Sequence, residues 1–269
     1  MSQIEQAKEN QFLLQEVAFD TDLRAALPLL SGAIEGATVY YHTLPEGDRL
    51  FYERTPALLR TFFLLDGTLR VTNGSHAYTL AKKDCYVADI DQDMELCSDI
   101  VSRFLEIQWR LTDEDRTFLA EKRPLPLFQV YEDCAQYKEP LQSPKVISRA
   151  VIGHHALPRF CMGSIQSYGP DRKASHAHPL LEQFFFSFPE NDIDLLIDGK
   201  IQSFGGNTLF YVPLASDHGV EVADGKAMHY LWIDFIIDPK GVDYLDEVHN
   251  PTVVKESYDS SGTLVSEAL

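Results

Sequence analysis

From about residue 37 onward, short apolar runs alternate with turn residues. The segments "ATVYYHTL", "LRTFFLLDG", "TLRVTNGSHAYTL", "DCYVADI" and "SRFLEIQWRL" are rich in β-branched and aromatic residues and are of strand length. Between them, Asp66-Gly67 and Asn73-Gly74 supply the turn chemistry that tight hairpins demand. The same texture returns in "RFCMGSIQSYG", "EQFFFSF", "IDLLIDGKIQSF", "NTLFYVPL", "GVEVADG" and "AMHYLWIDFII", with Asp198-Gly199 and Asp224-Gly225 as turns. Strands this short and evenly spaced predict a mainly β fold of barrels or sandwiches, not a parallel α/β sheet. Two such blocks, 36–111 and 146–238, predict a duplicated β domain.

Three segments break the rhythm. Within residues 1–35, "QAKENQFLLQEV" and "DTDLRAALPLLSG" read as short helices, the second capped by Asp20 or Thr21. Charges and prolines over 112–145 predict a helical or irregular connector. Residues 239–269 form a polar tail with one short helix around "GVDYLDEV".

Composition narrows the function. Of 269 residues, 41 are acidic and 23 basic, a formal charge of -18 that disfavours nucleic acid and anionic membrane surfaces as partners. A small anionic substrate would need a local cation to offset that field. The opening "MSQIEQAKEN" lacks the basic-then-apolar pattern of a signal peptide, and no apolar run approaches membrane-spanning length. Cys85, Cys97, Cys134 and Cys161 are scattered, which reads as reduced thiols in a cytoplasmic protein, a Cys85–Cys97 bridge being the alternative.

Candidate chemistry concentrates in "SHAHPLLEQFFFSF", residues 175–188. Read as one strand, His176, His178 and Glu182 share a face, and Phe184, Phe186 and Phe188 continue it. Imidazole nitrogen with carboxylate oxygen suits one divalent ion of Zn, Fe, Mn, Ni or Co. In "VPLASDHGVEV" the rigid Pro213 leads a turn that ends at His218, a fourth ligand from elsewhere in the chain.

"HAHPLLE" followed by "PLASDH" resembles the two signature motifs of the cupin superfamily, H-x-H-x3-E and P-x-G-x-x-H, with Ala215 in place of the usual glycine. The resemblance implies two tandem cupin-type (double-stranded β-helix, or jelly-roll) barrels, the second holding a metal on His176, His178, Glu182 and His218. In the first block, "PALLRTFF" reads like "HPLLEQFF" and sets Arg54, Pro56 and Arg60 at the ligand positions. The register one residue earlier gives Glu53, Thr55 and Leu59; Asp89 and Met94 replace the proline and last histidine. Neither set binds a cation, so the first barrel reads as a degenerate copy.

The layout, with "RFCMGSIQSYGP" leading into "HAH", is similar to the 5-keto-4-deoxyuronate isomerase family and its relatives in inositol breakdown. That family carries one more residue between its second histidine and its glutamate. A four-ligand site with open positions, together with this likeness, points to metal-dependent isomerisation of a small sugar-like or keto-acid substrate through an ene-diolate. His229, which alternates with Leu231 and Ile233 in "AMHYLWIDF", is the candidate base if it faces the barrel interior; a hydrogen-bonded core histidine is the other reading. Gln166, Tyr168, Arg172, Phe184, Phe186 and Tyr211 are the candidate substrate contacts; Arg172 and Lys173 also read as plain exposed cations. His154-His155 reads as a solvated loop in preference to a second metal site. Two other functions fit the same ligands: an Fe(II)-dependent cupin dioxygenase and a non-catalytic sugar-binding cupin. Exposed sheet edges point to a homodimer.

Overall fold

The computed structural model describes residues 12–18, 22–140 and 142–268. The chain divides into two compact units, Val17–Asp133 and Cys134 onward, the latter also including the strand β1 (Leu13–Glu16).

The first unit contains β2 (Ala25–Leu29), β3 (Ala37–Leu44), β4 (Arg49–Tyr52), β5 (Leu58–Asp66), β6 (Leu69–Asn73) and β7 (His76–Leu80). They are followed by β8 (Cys85–Val87), β9 (Met94–Ser98), β10 (Ser102–Arg110), helix α1 (Asp113–Lys122) and β11 (Leu127–Gln129). One sheet runs β11-β8-β5-β10-β3-β2 and the other β4-β9-β6-β7, all antiparallel. Between the sheets lie Phe62, Leu64, Leu69, Val71, Tyr86, Leu96 and Phe104.

The second unit repeats this plan. It contains β12 (Ala135–Lys138), β13 (Ile147–Leu157), β14 (Phe160–Tyr168), β15 (Asp171–His176), β16 (Leu181–Ser187), β17 (Ile193–Ile197) and β18 (Lys200–Phe204). After these come β19 (Thr208–Val212), β20 (His218–Val222), β21 (Ala227–Ile236), helix α2 (Lys240–Val248), β22 (Asn250–Pro251), β23 (Val254–Tyr258) and β24 (Leu264–Ala268). The sheets are β1-β19-β16-β21-β14-β13-β12-β22 and β15-β20-β17-β18, and β23 and β24 form a separate hairpin. The order β8-β5-β10-β3 is thus matched by β19-β16-β21-β14, and β4-β9-β6-β7 by β15-β20-β17-β18. The duplication expected from the sequence is present strand for strand.

Local chemistry explains the hairpins. Asp198 and Gly199 join β17 to β18 with φ of 48° and 76°, the paired positive φ of a two-residue type I′ turn. Gly67, between β5 and β6, has φ 95°, and a Cβ there would meet Ser102 Oγ at 2.5 Å.

The flanking segments correct three expectations. The described part of "QAKENQFLLQEV" is β1, paired with β19, and Phe12 packs on Phe210 at a ring distance of 6.2 Å. Pairing to an open sheet edge outweighs helix propensity there. "DTDLRAALPLLSG" yields β2 in place of a helix; Pro28 would disrupt a helix interior but is tolerated on an edge strand. Asp20 and Thr21 lie outside the described residues. The 112–145 segment is more than a connector, because it contributes α1, β11 and β12 and contains the division between the units. The short helix around "GVDYLDEV" is α2. All four cysteines are buried and unbridged, Cys85 and Cys97 included.

Candidate metal centre

Between the two sheets of the second unit lies a small, half-open pocket of about 30 Å³. His176 closes β15 and is paired across the ladder with His218, the first residue of β20. His178 follows in the loop before β16. Their ring centroids are 4.6 Å apart for His176–His218, 4.7 Å for His176–His178 and 5.2 Å for His178–His218. One nitrogen from each lies within 4.8 Å of the other two. The sequence reading placed these three imidazoles together, and they are together.

Backbone carbonyls fix two of the tautomers. His176 Nδ1 lies 3.1 Å from Ala174 O, and His218 Nδ1 lies 3.1 Å from Ser216 O. A proton held at Nδ1 leaves the Nε2 lone pair available as a ligand, the usual outer support of a metal-binding histidine. His176 Nε2 and His178 Nδ1 are buried without a hydrogen-bond partner. Burial, aided by Lys173, pushes His176 down to about 4; burial and the His176 charge push His218 down to about 3. Burial and the neighbouring imidazoles push His178 lower still. Neutral rings with buried, unpaired lone pairs are the donor set a divalent ion needs.

The turn that delivers His218 is strained. Ser216 N donates to Pro213 O at 3.1 Å, and Ala215 adopts φ 61°, a region that favours the glycine of the family motif. Ala215 N donates to His178 O at 3.4 Å, tying the turn to the second ligand's backbone.

Glu182 is not brought to the histidines. Its Oε1 accepts from the Tyr211 hydroxyl at 3.1 Å, on the face of the sheet away from the pocket. The stretch 175–188 is two strands with a turn at Pro179–Leu180, so alternation does not carry through from His176. The residue that faces the pocket is the next one, Gln183. Its Nε2 donates to Asp234 Oδ1 at 2.9 Å, and its Oε1 is buried without a partner. Gln183 sits where the isomerase-like spacing, one residue longer, places its glutamate.

The same one-residue offset moves the aromatic expectations on β16. Phe185, not Phe184, Phe186 or Phe188, faces inward, with its ring 5.8 Å from His218. Phe184 packs on Tyr211 and Phe235 on the opposite face, with Phe186 on that face beside it. His229 is buried but turned away; its Nδ1 lies 2.5 Å from Glu190 Oε1 and its ring packs at a tilt against Phe188, centroids 4.3 Å apart. Tyr230, Trp232 and Asp234 are the inward residues of β21. Gln166 accepts from Arg149 Nη1 at 3.1 Å, Tyr168 packs on Tyr258, and Arg172 is exposed. None of these lines the pocket.

Lys173, Glu139 and His249 do. Lys173 Nζ lies 2.6 Å from Glu139 Oε2, both side chains being about one-tenth exposed at 10% and 12%. Burial pushes the Glu139 carboxyl up, but Lys173 more than offsets it and holds the group below the usual value. Burial pushes Asp234 up to about 7 and His249 down to about 4. The sequence carried one signal for Gln183, the family spacing. Glu139 and His249 come from the expected connector and tail, where no pattern marked them.

In the first unit the equivalent positions hold no ligand set. Tyr52 pairs with Met94 across β4 and β9 as His176 pairs with His218 across β15 and β20. Arg60 faces inward on β5 as Gln183 does on β16. Around them, Glu106 is 2% exposed and bonded on every side. His42 Nε2 lies 2.9 Å from its Oε2, Tyr52 donates at 3.0 Å, Gln108 at 2.7 Å and Arg60 at 3.3 Å.

Comparison with known proteins bears on the fold. No protein-family model matches the chain, and no curated protein is significantly similar in sequence. Solved structures do match. An IolB-like protein from Salmonella typhimurium superposes with a TM-score of 0.66 at 11% identity, covering 84% of this chain and 93% of its own. Lactobacillus farciminis oxalate decarboxylase gives 0.64 at 11%, covering 84% and 86%. A cupin 2 conserved barrel domain protein from Leptotrichia buccalis gives 0.55 at 12%, covering 82% and 92%. The chain therefore has the two-barrel cupin fold expected from its motifs. Among the described residues no helix is long and apolar enough to cross a membrane.

Proposed function

We propose that the second barrel is a metal-dependent enzyme site that isomerises a small, anionic sugar-like or keto-acid substrate. The observation that carries this reading is the sharing of one pocket by three clustered imidazoles, two of them with a buried nitrogen that has no partner, and the Glu139–Lys173 pair. A divalent ion on His176, His178, His218 and Gln183 would supply Lewis acidity toward a substrate carbonyl. All four donors are neutral, so the set leaves the charge of such an ion uncompensated and favours an anionic substrate. Lys173 adds the local cation that a chain of formal charge -18 needs to hold an anion.

Glu139 takes the role first assigned to His229. A substrate carboxylate that engages Lys173 would loosen the Glu139–Lys173 pair. Glu139 would then accept a proton from the hydroxyl-bearing carbon beside the carbonyl and return it to the former carbonyl carbon, while the hydroxyl proton passes to the former carbonyl oxygen. Phe184, Phe186 and Phe188, the rings that would have given an oxygenase an aromatic substrate wall, face away from the pocket, which favours the isomerase among the functions that fit these ligands.

The test is proton exchange. Protein loaded with Mn2+ or Zn2+ is incubated anaerobically in D2O with a panel of uronates and small keto acids, followed by NMR. Deuterium entering next to the carbonyl, lost in Glu139→Gln and after chelation, is the expected result. Turnover that strictly requires O2 would replace the isomerase with an oxygenase. Ligand binding that survives chelation, with no exchange, would make the barrel a binding module.

A further inference from the structure

A second group of donors lies outside the barrel pocket, on the outer side of α2. His154 Nε2 and His155 Nε2 each lie 2.8 Å from the same oxygen, Asp246 Oδ1. The three donor atoms fall within 4.8 Å of one another. Consecutive residues of a regular strand point to opposite faces, so two adjacent histidines should not reach one carboxylate. The β13 ladder, however, shifts register between Ala150 and Ile152 and again between Ile152 and Leu157. Irregularities of this kind re-aim side chains, and here both imidazoles turn toward the same residue of α2, with rings 4.5 Å apart.

We infer that His154, His155 and Asp246 form a second metal site, selective for a borderline transition ion such as Zn2+, Ni2+ or Co2+, that fastens α2 to β13. Two imidazole nitrogens and a carboxylate oxygen are a common three-donor face for these ions, with water completing the shell. Tetrahedral bonds of about 2.1 Å place donors about 3.4 Å apart, so small rotations of the exposed His155 and Asp246 side chains toward the mostly buried His154 close the present group onto an ion. Binding moves each imidazole proton from Nε2 to Nδ1, exchanging two N–H donors for two lone pairs. His155 and Asp246 side chains are 67% and 50% exposed, so the ion has open access from solvent.

Position makes the site more than a surface feature. Leu245, next to Asp246, lines the barrel pocket, as does His249 just beyond the helix. Tyr244 packs edge-on against His178 at a ring distance of 5.5 Å. An ion at the outer site therefore restrains the helix that forms one wall of the inner one.

Untagged wild-type protein, His155→Ala and Asp246→Asn are titrated with Zn2+ by calorimetry. Both substitutions are at exposed positions outside the barrel site, so the barrel's own uptake cancels in the difference. The expected result is that each variant loses one equivalent of uptake or binds it at least tenfold more weakly. Zn2+ should also slow hydrogen exchange of the α2 amides in wild type but not in His155→Ala. Identical isotherms for all three proteins would overturn the site and leave a hydrogen-bonded cluster. Lost uptake with unchanged α2 exchange would overturn the fastening role.

Discussion

The two barrels share one strand plan and differ in what fills the mouth. In the second, His176, His178, His218 and Gln183 present neutral donors, several of them unpaired, to one half-open pocket. In the first, Tyr52, Arg60 and Met94 stand at the matching places, and Glu106 is saturated by four neighbours. Buried polar atoms are ordinarily satisfied. Around Glu106 the first barrel obeys that rule, as a structural core should. The second leaves His176 Nε2, His178 Nδ1 and Gln183 Oε1 buried without a partner beside one pocket, as a site awaiting a ligand should.

Substitutions can break this contrast from either side. The largest effect is expected from His178→Ala, which removes one of three imidazoles; metal affinity of the barrel site should fall by more than about 100-fold, beyond the loss typical of outer-shell changes. Equilibrium dialysis against a chelator measures it. In the first barrel, Glu106→Ala leaves Arg60 and His42 without their partner and should cost about 3 kcal/mol in denaturant unfolding. Metal content should not change.

The Glu106 contribution carries a pH signature. Burial raises its carboxyl pKa, yet the bonds from His42, Gln108 and Tyr52 more than offset that and hold it below the ordinary value. A depressed folded pKa stabilises above the unfolded carboxylate value of about 4.3 and loses that stability as pH falls through the folded one. The gap between wild type and Glu106→Gln should thus be flat near neutrality and shrink below about pH 4. A gap that widens on acidification would contradict the assignment.

Smaller effects sharpen the register within the second barrel. Gln183→Ala should weaken the barrel's metal affinity about tenfold, whereas Glu182→Ala should leave it unchanged and cost at most about 1 kcal/mol for the lost Tyr211 bond. Smallest of all, Ala215→Gly relieves the positive φ of the His218 turn and should stabilise the protein by about 1 kcal/mol.

Much of this was legible in the chain. Strand-length runs and Asp-Gly or Asn-Gly turns located the two β blocks, because periodicity and turn chemistry are local properties. His176, His178 and His218 were legible for the same reason, as a motif at fixed spacing. What failed was parity. Counting faces from His176 through Glu182 assumed one continuous strand, and the turn at Pro179–Leu180 resets the count. A slip of one residue in a strand exchanges its two faces, so Glu182, Phe184 and Phe186 moved out together and Gln183 and Phe185 moved in; His229 was a separate choice of face on β21, where Tyr230, Trp232 and Asp234 are the inward residues. Glu139 and His249 were invisible for a different reason. They reach the pocket only through tertiary placement of β12 and the end of α2, which no local pattern encodes.

The contrast between the barrels is tested most directly by an anomalous difference map from crystals of the protein soaked in Mn2+ or Zn2+. A peak in the second barrel, within bonding distance of His176, His178, His218 and Gln183, with none beside Tyr52 and Met94, is expected. No peak among those histidines, a peak in the first barrel, or Glu182 turned inward as the ligand in place of Gln183 would contradict it.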